Sequence, residues 1–289
     1  MEPYLIVFPT TASLVIITIM TTQQIYDLTE ASQAKLVGGK ALALNEMACK
    51  GFNVPKGFVI SANSFMRMTP FLHNKILASF DKLQTQYVAV RSSAINEDGK
   101  NDTWAGQLET YLNCTKGNLL ANIQKCWDSA NSSRAQSYAA QKGSLGTKVA
   151  VIVQEMIQGE VSGVAFSAHP VTNNKKQIVI EAGLGLGEAV VSGKITPDNY
   201  VIDKETGQIA ETHISHQTIK LTRGNKGDMK WEEVNSSKQK LTNEQLMELC
   251  SLTAKLEAFF DLPVDIEWTI YKGEVYILQS RPITTLEQK

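Results

Sequence analysis

Two apolar runs near the C-terminus carry an acid, an amide and an arginine. They are Val264-Asp265-Ile266-Glu267-Trp268 and Ile277-Leu278-Gln279-Ser280-Arg281-Pro282-Ile283-Thr284. A carboxylate beside an amide oxygen is a hard-oxygen pair suited to Mg²⁺. An arginine two residues past the amide can grip a phosphate with its planar fork. Metal and arginine together at a strand end point to phosphoryl transfer from a nucleotide.

Geometry sharpens that expectation. Side chains on a strand alternate in direction, and directly paired residues share a face. Glu267 and Gln279 can share a metal only if they pair, which centres the turn on Gly273. That register demands a loop of three or five residues, or a bulge. A two-residue Lys272-Gly273 turn with no bulge would set the two side chains on opposite faces.

Cations and donors for the phosphates are found far upstream. Gly38-Gly39-Lys40 opens an apolar-periodic segment from Ala41 to Cys49. Glycines let backbone approach an oxyanion, a helix start adds positive potential, and Lys40 adds a full charge. The same Gly-Gly pair also reads as a plain helix cap, and no G-x-x-x-x-G-K-[ST] loop is present. Arg91-Ser92-Ser93 follows the β-rich run Tyr87 to Val90, where an arginine and two hydroxyls suit a polyphosphate as well as a salt bridge. In Trp104 to Tyr111, Gly106 would let backbone touch phosphate and Thr110 would donate a hydroxyl. Gln154 ends the strand-like run Val149 to Val153 and can present an amide to an adenine edge, or simply close a solvated strand. Gly183, Gly185 and Gly187 alternate as G-x-G-x-G, which fails the dinucleotide fingerprint.

The elements that must position these residues are mixed. Residues 61–83 read as helical with a break at Pro70, and 119–141 as helical throughout. Strands are expected at 149–153, 161–167 and 177–181. A helix from Leu241 to Phe260 opens on Thr242, with Gln245 three residues on as a capping box. Interspersed strands and helices give an α+β or mixed α/β class. The chain has 289 residues, 43% hydrophobic and 20% charged, enough for two lobes. The net charge of −1 offers no basic field for nucleic acid or anionic membrane. Cys49, Cys114, Cys126 and Cys250 form no C-x-x-C pair, so reduced structural thiols in the cytoplasm are expected. Leu5 to Met20 is an apolar run too short for a spanning helix of about 20 residues. It has no basic flank and no clear small-residue cleavage site, so residues 1–19 are read as an extension outside the fold, with a membrane anchor or export signal as the alternative.

Taken in order, these pieces resemble the N-terminal ATP-grasp-like domain of phosphoenolpyruvate synthase, pyruvate phosphate dikinase and rifampicin phosphotransferase. The matching stretches are L-V-G-G-K-A-L-A-L-N-E-M, V-P-K-G-F-V-I, V-A-V-R-S-S-A-x-x-E-D, A-G-Q-x-x-T-Y-L-N, G-L-G-E-A-V-V-S-G-K-I-T-P-D-N-Y, D-I-E-W and L-Q-S-R-P-I-T-T-L, from Leu36 to Leu286. The resemblance implies a two-lobed fold over 20–289, divided into 20–148 and 149–289, with ATP between the lobes. It implies that Lys40 and Arg91 hold phosphates, that Gly106, Thr110 and Tyr111 line the phosphate loop, and that Gln154 sits at the adenine hinge. Glu267 and Gln279 would bind Mg²⁺, and Arg281 would stabilise the transferring group. Lys40, Arg91 and Arg281 are thus the catalytic candidates.

The same resemblance implies transfer of the β-phosphoryl of ATP to a histidine, then to a small molecule such as pyruvate. The family's acceptor histidine lies in a T-[SC]-H motif of a swivelling domain. His73, His169, His213 and His216 sit in no such motif. A phosphohistidine domain on another chain is therefore the expected partner. The segment between Ile60 and Arg91 is also shorter than the family's usual helical insertion. Alternatives are a regulatory ATP-binding module without turnover, or a fragment of a longer dikinase.

Overall fold

Valine, isoleucine and alanine dominate the strands that lie deepest, because those strands are covered on both faces. The computed structural model describes residues 23–95, 109–132, 148–224, 227–283 and 286. Two antiparallel sheets carry the fold. The first joins β1 (Ile25–Asp27), β2 (Gly57–Ile60), β3 (Val88–Ala94), β4 (Thr110–Cys114) and β5 (Val149–Glu155) in the order β1-β2-β5-β3-β4. The second joins β6 (Val161–Phe166), β7 (Gln177–Leu184), β8 (Asp198–Asp203), β9 (Ile209–His213), β12 (Val264–Tyr271) and β13 (Glu274–Pro282) in the order β13-β12-β6-β7-β8-β9. A separate ribbon pairs β10 (Gln217–Arg223) with β11 (Met229–Ser236). The mixed α+β class is as expected.

Period-two alternation sorts β5 between two cores. Val151 and Val153 join Leu72, Ile76, Leu119, Ile123 and Trp127 on one face. These come from α2 (Pro70–Leu83) and α3 (Leu119–Ser129). Ala150 and Ile152 face the other way, toward Val37, Ala41, Leu44 and Met47 of α1 (Ala34–Cys49). That second cluster continues through Ile180, Tyr200, Ile266 and Trp268 of the second sheet to Leu246, Leu249 and Leu256. The last three lie on α5 (Asn243–Phe260); a short α4 (Glu188–Val191) precedes β8. Helix α1 thus packs on a core shared by both sheets. Burying each of the Val, Leu, Ile and Met side chains among them stabilises by about 1.5–3 kcal/mol.

Local signals account for the helix ends, with differences. Pro70 starts α2 rather than breaking a longer helix: it stands at the first turn, where its missing N–H matters least, and Thr69 Oγ1 accepts from Leu72 N at 3.2 Å. Helix α3 ends at Ser129; the expected continuation to Gln141 runs into residues outside the described set. The capping box at Thr242 and Gln245 is present in both directions. β5, which follows the expected lobe boundary at 148, lies inside the first sheet, so the sheets divide after Glu155. Residues 1–22, including the apolar run, lie outside the described residues. Among the described residues no helix is long and apolar enough to cross a membrane.

Candidate functional site

The hairpin solves the register problem by combining the two geometries. Lys272 and Gly273 form a two-residue turn, with φ of 52° and 80°, between the paired Tyr271 and Glu274. Two successive left-handed residues suit a tight hairpin. The ladder then shifts: Trp268 pairs with Ile277, but Glu267 pairs with Gln279. Leu278 is the extra residue of a bulge. Up to Ile277 the core side chains of β13 stay in phase with the turn. Beyond the bulge, Gln279 and Arg281 take the face of Glu267 and Asp265, their partners across the ladder.

That face looks into a cleft of about 670 Å³ between the sheets. Lys40, Arg91, Thr110, Gln154, Glu267, Gln279 and Arg281 all line it. Arg91 reaches across from β3. Its Nη1 donates to the Leu278 carbonyl at 2.6 Å, and its Nη2 to Gln279 Oε1 at 2.5 Å and Glu267 Oε2 at 3.4 Å. Arg91 is 8% exposed, and its buried Nε has no partner among the described residues. Arg281 is held by its Nε, which donates to Asp265 Oδ2 at 2.7 Å. Burial pushes the Asp265 carboxyl above its ordinary range, although the Arg281 guanidinium pulls the other way. Glu188 also faces the cleft; burial, then the Glu267 carboxylate, raises its pKa against the pull of Arg91.

Lys40 is aimed by a break in α1. Gly38 has φ 79° and ψ 168°, so the helical turns resume only after it. A side chain there would collide with Ser93 Oγ and meet the carbonyls of Ser93 and Ala94 at 2.6 and 2.7 Å. Ser93 Oγ accepts from Ala41 N at 3.2 Å, and Lys40 Nζ donates to the Ser92 carbonyl at 3.3 Å. The Gly-Gly pair does not open α1, which already begins at Ala34, but it breaks the helix and seats the run that follows against β3. Arg91 itself stands inside β3, not at its end.

One expected residue stands elsewhere. Tyr111 is not among the residues lining the cleft. It pairs with Val90 and packs into the helix-covered core, with Lys125 Nζ 5.4 Å from its ring centroid. Adjacent strand residues point to opposite faces, so Thr110 and Tyr111 cannot both face the cleft. Gly106 lies outside the described residues. Gln154 lines the cleft, but its amide nitrogen donates to the Pro55 carbonyl at 3.2 Å. Sequence reasoning missed Asp265, although it precedes Glu267 by two and so shares its face. It also missed the Leu278 carbonyl, which has no side-chain signal.

Chemically, three cationic side chains and two hard-oxygen donors around one hollow suit a polyphosphate that carries a divalent cation. The donor set fits Mg²⁺: one carboxylate and one amide oxygen leave most of an octahedron for phosphate oxygens and water, as such sites require. This is the class of cleft in which a nucleotide phosphate chain can be clamped. Residues 66–289 match the family described as pyruvate phosphate dikinase, AMP/ATP-binding domain, and the chain belongs to that family.

Several relatives extend the match. An uncharacterized phosphotransferase of Bacillus subtilis, YvkC, is 36% identical over 291 residues, covering 90% of this chain and 34% of that protein. The rifampicin phosphotransferase of B. subtilis is 34% identical, covering 89% and 35%. A probable phosphoenolpyruvate synthase of Methanocaldococcus jannaschii is 33% identical, covering 88% and 26%. The chain spans about a quarter to a third of the length of these relatives. Among solved structures, PH1788 from Pyrococcus horikoshii aligns over 94% of this chain and 98% of its own, at 11% identity and a TM-score of 0.45. The D-alanine–D-alanine ligase of Bacillus anthracis aligns over 94% and 64%, at 8% identity and a TM-score of 0.42.

Proposed function

We propose that this chain is the ATP-binding half of a dikinase, and that it transfers the β-phosphoryl of ATP to a histidine on a separate domain or chain. AMP and phosphate would be released, and the phosphohistidine would pass its group to a small molecule such as pyruvate, as in phosphoenolpyruvate synthase. One observation carries the reading: residues 40, 91, 267, 279 and 281, scattered over the sequence, converge on one cleft in a member of this family.

In this reading Lys40, Arg91 and Arg281 bind the phosphate oxygens, and catalysis is mostly positioning and charge neutralisation. Thr110 adds a hydroxyl at the mouth of β4. Asp265 orients Arg281 through its Nε and so fixes the plane of the guanidinium at the cleft wall. Mg²⁺ held by Glu267 and Gln279 would neutralise phosphate charge at the transferring group. Apolar side chains of Met156, Ile157 and Leu186 line the same cleft and would exclude water around the base. A dikinase drawing on cellular ATP would act in the cytoplasm.

The test is incubation of the chain with β-labelled ATP and Mg²⁺, with and without a separately expressed phosphohistidine domain. Label on that domain together with AMP is the expected result. ATP binding with no AMP under any pairing would instead favour a regulatory module. Glu267→Ala and Arg281→Ala should each abolish AMP formation while circular dichroism stays native. Undiminished AMP from either variant would contradict these roles.

A further inference from the structure

We infer that Arg91 is the resident counter-cation of the metal ligands, so that divalent cation and nucleotide bind with positive coupling through this one side chain. The inference rests on the reading of Glu267 and Gln279 as metal ligands. It concerns what occupies them before the nucleotide arrives.

Arg91 Nη2 lies 2.5 Å from Gln279 Oε1 and 3.4 Å from Glu267 Oε2. These are the two oxygens that a divalent ion would need, at about 2.0–2.1 Å for Mg²⁺. A guanidinium nitrogen and a metal cannot share the same lone pairs, and their charges repel. The nitrogen therefore stands in for the ion. The hold is good but incomplete. Nη1 is anchored separately, on the bulge carbonyl of Leu278 at 2.6 Å, while Nε is buried with no partner among the described residues. Arg91 can thus surrender Nη2 and keep its anchor. A phosphate oxygen in the cleft would offer the fork a stronger acceptor than an amide.

Phosphate binding releases the ligands, and metal binding releases the arginine. Linkage makes the effect reciprocal: whatever factor nucleotide adds to metal affinity, metal adds to nucleotide affinity. A free divalent ion would bind weakly, because it must first displace a charge-assisted pair.

The test titrates Mn²⁺ alone into the full chain, without nucleotide, reading free Mn²⁺ by electron paramagnetic resonance. Arg91→Met should bind Mn²⁺ about tenfold more tightly than the native chain, the change expected from losing one charge-assisted competitor. Arg91→Lys keeps the charge but cannot hold Leu278 and Gln279 together. It should also bind more tightly, by a smaller factor, which separates displacement from simple charge removal. Adding Glu267→Gln to either variant should cancel the gain. Arg91→Lys decides the matter should the methionine variant fail to fold. Mn²⁺ affinity equal to or below native in the folded variants overturns the inference, as does a gain that survives Glu267→Gln. If Glu267→Gln removes Mn²⁺ binding but the Arg91 variants match the native chain, the counter-cation role fails alone. If Glu267→Gln leaves Mn²⁺ binding intact in the presence of a non-hydrolysable ATP analogue, the metal reading itself fails.

Discussion

Gly38 shows how a single residue sets the position of a catalytic candidate two residues away. Its φ of 79° is a left-handed value that side-chain-bearing residues avoid, and the space where a Cβ would go is already filled by Ser93 and Ala94. Strain and collision act together at this position. Gly38→Ala should destabilise by roughly 2–4 kcal/mol, combining left-handed strain with overpacking against backbone. Gly51 is the matched control. Its φ is 83°, yet no atom of the described residues beyond its chain neighbours lies within 4 Å of its Cβ position, so Gly51→Ala carries strain alone, about 1 kcal/mol. Urea unfolding of the two variants checks the difference. Equal losses would mean that the contact with Ser93 is not what pins the helical run after the break, and with it Lys40.

Elements differ in how much of themselves they show in sequence. The capping box at Thr242 and Gln245, the helical run after the glycines of α1 and the closing hairpin were legible because each is fixed by chemistry within a few residues. The pairing of Glu267 with Gln279 was legible only as a condition. Alternation says that some irregularity must exist, but choosing between a long loop and a bulge at Leu278 needs the packing of Val275 and Ile277 in the core. Tyr111 turns from the cleft into the helix-covered core because alternation along β4 lets only one of it and Thr110 face the cleft. The membership of β5 in the first sheet depends on pairings with Gly57 and Val88 that no local pattern announces. Asp198, in the Pro-Asp-Asn-Tyr run, turns out to be a staple between elements. Its side chain and that of Lys240 are wholly buried, 2.8 Å apart. Asp198 also accepts from Ser215 N and Tyr200 Oη, while Lys240 Nζ donates to the Ser215 carbonyl. Burial, reinforced by Asp198, drives the Tyr200 phenol well above its ordinary pKa. Removing one member leaves the other charge stranded. Asp198→Asn or Lys240→Met should each lower unfolding free energy by about 3–5 kcal/mol, and the double variant by less than the sum. Additive losses in denaturant titrations would show that the pair is not coupled.

At the scale of the whole molecule, the two sheets meet through a shared core on one side and a clasp on the other. The ribbon of β10 and β11 is rooted in the second sheet, where Leu221 bridges to Gly185 and packs with Leu186 and Val190. Its far end reaches the first sheet. The Arg223 guanidinium lies 4.2 Å from the centroid of the Tyr87 ring at the start of β3, and Asn113 of β4 donates to Met229 Sδ at 2.9 Å. Polar and cation–π contacts, weak individually, thus join the two sheets at this side, while an apolar core joins them at the other. With that asymmetry, any parting of the sheets is expected at the ribbon. A partly desolvated cation–π pair is worth about 0.5–2 kcal/mol. Arg223→Ala should therefore release a bound fluorescent ADP analogue several-fold faster in stopped-flow traces, with little change in the urea midpoint because the shared core is untouched. Tyr87→Leu, which keeps an apolar side chain but removes the ring face, should do the same. If both variants release the analogue at the native rate, the ribbon is a passive surface element, and access to the cleft must be governed elsewhere.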